Sequence, residues 1–326
     1  LPSWLAPMVV PVIWWWIRFT HSLADLTLVT SKVIQEEFHM HGIQNVQVWQ
    51  KGVDTDRFHP RHYSENMRRR MIFPDIPPVQ KTVEIPEAIQ KMTALPPAFA
   101  EGSSSSLTQH DDKREDPAAP LLLLYVGRLA AEKRIEKIKT VLEHTPNADL
   151  CIVGTGPHED FLRHYFANTS TVFLGELHGT ELSQAYASAD IFVFPSDSET
   201  LGFVVLEAMA SEIPVVAANA GGLPNIIMDD ANTNATNINT GFLVDRDEDY
   251  TRFVRQLGED KELRKRIASA GRRSAERWTW NASMAQLCDD HYKTAQRNFD
   301  QTWHVRWSRS LKRGIYKLRS LFGMVT

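Results

Sequence analysis

Between Leu121 and Val244 one pattern repeats six times: a short, wholly apolar run, then a mixed segment with helical spacing. The runs are LLLLYVG, DLCIVG, TVFLG, DIFVFPS, PVVAA and GFLV. A strand with one wet face alternates apolar and polar residues, so a run that is apolar throughout has both faces buried. The intervening segments, ELSQAYASA and FVVLEAMA among them, have the spacing of amphipathic helices. Buried strands alternating with helices define an α/β fold, a parallel sheet with helices on both faces. Ligands of such sheets bind outside the carboxyl ends of the strands. The loops that follow the six runs are therefore where a site is expected.

The 326 residues suffice for two domains. Residues 24–50 read as strand, helix and strand: ADLTLV, a helix capped by Thr30 or Ser31 that runs through Met40 to Gly42, then VQVWQ. Such a unit is too small to stand alone, and residues 1–70 read as the remnant of an incomplete first domain. Residues 71–120 hold 8 of the 17 prolines and the run EGSSSSLTQHDDKRED, the composition of a disordered low-complexity insertion. Residues 121–285 form the regular domain. Residues 286–326 read as a basic, aromatic helix, with eight Lys or Arg after residue 290 against the single acid Asp300. That helix suits an anionic membrane surface. The opening run LPSWLAPMVVPVIWWWI is 17 residues long and interrupted by Pro7 and Pro11, so it is expected to be interfacial or buried, not spanning. Its Trp14–Trp16 cluster fits a membrane interface or a packed core equally.

The net charge of −4 gives no reason to expect nucleic acid as a partner. Two cysteines without CxxC spacing exclude a disulfide framework and a cysteine metal site. Two D-x-D strings, Asp54-Thr55-Asp56 and Asp245-Arg246-Asp247, read as turns and caps, so no metal is expected.

The loops carry the chemistry. After the first run come Gly127 and Arg128, with Lys133 five residues on, near an expected helix start; glycine, two cations and a helix dipole together suit a diphosphate. After the second come Gly154 and Gly156, which either admit a nucleotide backbone or make a tight turn. The third ends FLGEL, where the backbone from Gly175 to Leu177 can meet a base edge. The fourth leads into PSDSETLGFVVLEAMA, with Glu199 and Glu207 flanking the turn Thr200-Leu201-Gly202 and a helix beginning near Gly202. Carboxylates accept twice over, which matches vicinal sugar hydroxyls, and helix-start amides meet phosphate.

G-R-L with E-K, G-x-G-P, F-L-G-E-L, the paired glutamates with E-A-M-A-S, and G-G-L-P occur in this order over residues 121–280. Together they resemble the retaining GT-B glycosyltransferases. The longer strings A-D-L-T-L-V-T-S, V-W-Q-K-G-V-D-T-D-R-F-H-P-R and E-L-S-Q-A-Y-A-S-A-D are similar to those of the sulfolipid-forming sulfoquinovosyltransferases of plants, algae and cyanobacteria. The resemblance implies a GT-B, Rossmann-like fold and transfer with retention from UDP-sulfoquinovose to diacylglycerol at a plastid membrane, with no cofactor besides the donor. It implies catalytic roles for Arg128, Lys133 and Glu199. Donor binding would fall to Gly127, Gly154, Gly156, Leu177, Thr200, Leu201, Gly202 and Glu207, the last on the ribose. Lys51 and Asp54 correspond to the family's segment before the interdomain hinge. Four features depart from the pattern: the incomplete first domain, the 71–120 insertion, Asn225 where an acid is common, and Arg134 where a small residue is common. Two other readings remain open: another UDP-hexose with another acceptor, or a nucleotide-sugar-binding fragment without catalysis.

Overall fold

The computed structural model describes residues 6–49, 52–74, 119–227 and 239–301. A small unit comes first: α1 (Ala6–His21), β1 (Thr27–Val29), α2 (Lys32–Met40) and β2 (Val46–Val48). The two strands pair in parallel, Thr27 opposite Val46, as the strand–helix–strand reading requires. Of the two candidate caps, Ser31 is the one used, its hydroxyl accepting from the Ile34 amide at 3.3 Å. The prolines do not interrupt the opening run. The 16-residue α1 passes through Pro11, while Pro7 stands in the first turn, where no intrahelical N–H is needed. Trp14 stacks on His41 and meets Phe38 edge-on, backing a small core of Val29, Ile43 and Val46. Trp15 and Trp16 remain 64% and 57% exposed, so the tryptophan cluster divides between packing and surface. Among the described residues no helix is long and apolar enough to cross a membrane.

Each of the six runs becomes a strand: β3 (Leu121–Val126), β4 (Ala148–Val153), β5 (Thr171–Gly175), β6 (Ile191–Phe194), β7 (Val215–Ala218) and β8 (Phe242–Val244). They form one parallel sheet in the order β5-β4-β3-β6-β7-β8. The chain winds one way from β3 to β5 and the other way from β6 to β8. The loops above β3 and β6 therefore diverge and leave a crevice at the carboxyl ends. The helices are α3 (Glu65–Ile72), α4 (Ile138–His144), α5 (Glu159–Tyr165), α6 (Gly179–Ser188), α7 (Phe203–Ala210), α8 (Leu223–Ile227), α9 (Asp247–Glu259), α10 (Lys261–Arg277) and α11 (Trp280–Gln286). A π-helical stretch, Leu287–Tyr292, follows α11.

The boundary at residue 70 needs correction. Val53, Phe58, Met67 and Met71 belong to the core of the larger sheet, so the packing changes hands near residue 50. Met67 and Met71 are one helical turn apart and reach that core together. Arg68, between them in sequence, is 7% exposed. Its guanidinium donates to the carbonyls of Ser188 (2.8 Å) and Pro120 (3.0 Å) and pairs with Asp190 at 2.8 Å. Asp190 also accepts from the Leu122 amide, so the ion pair fastens α3 to the sheet. From α10, Arg272 donates to the carbonyls of Thr55, Phe58 and Ala210. Most of the proposed insertion, residues 75–118, and the basic tail from residue 302 lie outside the described residues.

Candidate functional site

The loops after β3, β4 and β5 are joined by backbone hydrogen bonds: Gly127 N–H to Val153 O, Leu129 N–H to Thr155 O and Gly154 N–H to Gly175 O, all at 2.7–3.0 Å. Gly154 has φ +132°, and a Cβ there would lie 2.0 Å from Gly127 O; at Gly156 it would lie 2.2 Å from Leu129 O. Loop-on-loop packing thus demands glycine at both places. The helix expected near Lys133 is absent. Two 3₁₀ turns, Ala131–Lys133 and Ile135–Lys137, stand there, separated by Arg134 at φ +52°, and α4 begins only at Ile138. Lys133 therefore acts as a charge without a helix dipole behind it. The left-handed backbone of Arg134 explains why a small residue fits that position.

The centre of the site lies between β6 and α7. The Glu199 Oε2 accepts from Lys133 Nζ at 2.9 Å, and Oε1 accepts from the amides of Gly202 (3.0 Å) and Leu201 (3.4 Å). Burial alone would raise the Glu199 pKa, but the Lys133 hydrogen bond, the Gly202 amide, the Lys133 charge and the Leu201 amide hold it below the usual carboxylate value. Gly202, in the left-handed region, caps α7 where the helix was expected to begin. The Gly-Gly loop after β7 closes on this turn. Gly222 N–H donates to Glu199 O at 2.9 Å, and a Cβ on Gly221 (φ +58°) would lie 1.9 Å from that oxygen.

The sequence-chosen residues divide accordingly. Lys133, Glu199, Leu201 and Gly202 meet, with Thr200 exposed beside them. Arg128 does not join them: its side chain is 61% exposed and pairs with Glu132, while its carbonyl accepts from the Tyr125 hydroxyl. The Leu177 side chain is in the core, 5% exposed, which leaves only its backbone to meet a base. Glu207 lies further along α7, its Oε2 accepting from the Tyr186 hydroxyl at 2.8 Å. Burial pushes its carboxyl up to about 7, against the Tyr186 bond and the Arg57 charge. Of the two D-x-D strings, the first makes a turn, while in the second the helix N-cap is Arg246, without a side-chain cap bond, so neither aspartate is a cap. Asp54 Oδ1 accepts from the amides of Asp56 and Arg57, Asp245 accepts from Asn219, and Asp247 opens α9 and pairs with Lys137. Sequence reasoning missed Tyr186 and Arg57, which stand 21 and 150 residues from Glu207 and have no spacing signature.

The doubly wound sheet, with a cation–carboxylate pair and a helix start at its switch point, has the architecture of a GT-B glycosyltransferase domain. Residues 108–274 match the family of glycosyl transferases group 1, and the chain belongs to that family. It is 36% identical over 300 residues to sulfoquinovosyl transferase SQD2 of Arabidopsis thaliana, covering 90% of this chain and 50% of that protein. It is 32% identical over 297 residues to a GDP-mannose-dependent alpha-mannosyltransferase of Mycobacterium tuberculosis, covering 90% of this chain and 63% of that protein. The chain thus spans about half the length of the first relative and under two thirds of the second. Among solved structures, HepE of Anabaena in complex with UDP and glucose has the same fold, with TM-score 0.56 and 17% identity over 81% of this chain and 62% of that one.

Proposed function

We propose that this chain is the donor-binding half of a retaining glycosyltransferase that moves sulfoquinovose from its UDP derivative to diacylglycerol. The observation that carries the reading is the Lys133–Glu199–Gly202 cluster at the β3/β6 switch point. A match of 36% identity to a sulfoquinovosyl transferase, over a stretch that covers 90% of the chain, supports the choice of donor. In this reading the acceptor hydroxyl bonds to the anomeric carbon as that carbon's bond to the β-phosphate oxygen breaks. UDP leaves, and the hydroxyl proton passes to its phosphate. Lys133 and Arg128 balance the charge that develops on the diphosphate, so the reading calls for no metal and no cofactor. Glu199 orients Lys133 and, with the Thr200–Gly202 backbone, meets the donor sugar and distal phosphate. Glu207 accepts from the ribose hydroxyls.

A charge-assisted contact is worth about 1.5–3 kcal/mol, so Arg128→Ala or Lys133→Ala is expected to slow transfer by roughly one to two powers of ten. The deciding experiment is turnover with diacylglycerol, with UDP-sulfoquinovose, UDP-glucose and GDP-mannose as rival donors. Equal or better use of UDP-glucose overturns the sulfolipid reading, and preference for GDP-mannose favours the second reading, a mannosyltransferase like the Mycobacterium relative. Donor binding without turnover favours a fragment that holds nucleotide sugar but lacks catalysis. A membrane partner and a plastid location follow from the same reading. The basic tail is then expected to bind anionic liposomes, with affinity that falls as salt rises.

A further inference from the structure

One of the two Glu207 carboxylate oxygens is already engaged. Its Oε2 accepts from Tyr186, a fully buried residue on α6. The Tyr186 ring lies edge-on to Phe58, with centroids 5.5 Å apart, and is tilted against Phe192 at 5.7 Å. Phe58 in turn is anchored through its carbonyl by Arg272 at 2.9 Å. A phenylalanine would fill the same space without a polar atom to satisfy, since a buried hydroxyl is costly unless it is bonded. The Tyr186 hydroxyl has one evident use, the Glu207 carboxylate.

We propose that Tyr186 is a positioning residue for the donor: it occupies Oε2 of Glu207, reserves Oε1 for the ribose hydroxyls, and ties that contact to the segment carrying Phe58. The inference rests on the reading of Glu207 as the ribose acceptor. The charged and titratable groups around this carboxylate are Tyr186 from α6, Arg57 from the segment before α3, Tyr125 from β3 beside Tyr186, and Arg272 from α10 at the far end of α7. Burial pushes Glu207 up, and the Tyr186 bond and Arg57 hold it down. Without the hydroxyl, burial is less opposed, and a larger share of Glu207 keeps its proton near neutral pH.

The test is calorimetric binding of UDP and of 2′,3′-dideoxy-UDP between pH 6 and 9, with the wild-type chain, Tyr186→Phe, Phe58→Leu and Glu207→Gln. Tyr186→Phe is expected to weaken UDP about tenfold near pH 7, or about 1.4 kcal/mol, and to move the pH midpoint of binding upward. The dideoxy compound, which has nothing to offer Glu207, should bind Tyr186→Phe and wild type alike. Phe58→Leu keeps the hydroxyl but loosens its ring, and should give a smaller loss of UDP with the midpoint in place. Unchanged UDP affinity and pH profile in Tyr186→Phe overturn the proposal. So does an equal loss for both nucleotides, which would mark general damage to the fold. If Glu207→Gln binds UDP as well as wild type does, the ribose reading itself has failed, a result distinct from a silent Tyr186→Phe.

Discussion

Glu207 shows how a buried carboxyl can burden the fold that carries it. An ordinary carboxyl of this kind titrates near 4.5, whereas Glu207 keeps its proton to about 7 because it is buried. Below the lower value the folded and unfolded chains are both protonated. Between the two values only the unfolded chain has released its proton. Stability is therefore fully present below about 4.5, falls as pH rises through about 7, and is level beyond. By that shift the loss approaches about 3 kcal/mol. Glu207→Gln is expected to melt at a higher temperature than wild type at pH 8 and to converge with it near pH 5, as thermal unfolding at the two pH values will show. Arg134 is a second residue-scale burden. Its left-handed backbone costs about 1 kcal/mol in a residue with a side chain, and its ion pair with Asp197, at 3.6 Å and half exposed, offsets little of that. Arg134→Gly should gain about 0.5–1 kcal/mol in urea unfolding. At this scale the sequence was only partly legible. Arg68 stands in ENMRRRMI beside two arginines of identical chemistry, and only the fold buries it and leaves Arg69 and Arg70 in solvent.

Secondary elements were read more securely where burial is two-sided. All six apolar runs became strands because a parallel strand covered on both faces has no polar parity to conceal it. The region of Ala131–Lys137 was misread because helical composition does not reveal a left-handed residue, and Arg134 breaks the segment into two 3₁₀ turns. The element-scale predictions concern what holds loops and helices to the sheet. Gly221→Ala would drive a methyl group into Glu199 O from a left-handed backbone. It should cost more than about 2 kcal/mol and loosen UDP binding, both measurable on the purified variant. Arg68→Ala strands Asp190, which is 9% exposed, without its cation. Loss of one partner from a buried pair costs about 3–5 kcal/mol. The joint loss in Arg68→Ala/Asp190→Asn, compared with the two single changes, isolates the pairing.

For the whole molecule, the strands of the two sheets were legible, but the core to which residues 52–72 belong was not. Residues 52–72 are polar in sequence, yet they contribute Val53, Phe58, Met67 and Met71 to the larger core. The candidate site could be placed among the loops after the strands, because in a parallel sheet topology alone brings those loops to one end. Which residues touch there was not legible. Lys133 and Glu199 lie 66 residues apart and meet at 2.9 Å, while Arg128, closer to Lys133 in sequence, faces solvent.

The two ends of α7 are held by different partners. The turn at its start carries Glu199 and Gly202, and its last carbonyl, Ala210 O, is held by Arg272, which also grips Thr55 and Phe58. In mechanical terms this eight-residue helix is a strut about 12 Å long, with the Glu199 turn at one end and the Arg272 clamp at the other. Through that clamp the end of the helix is fastened to residues 55–58, so the segment leading out of the small unit and the Glu199 turn are braced by one element.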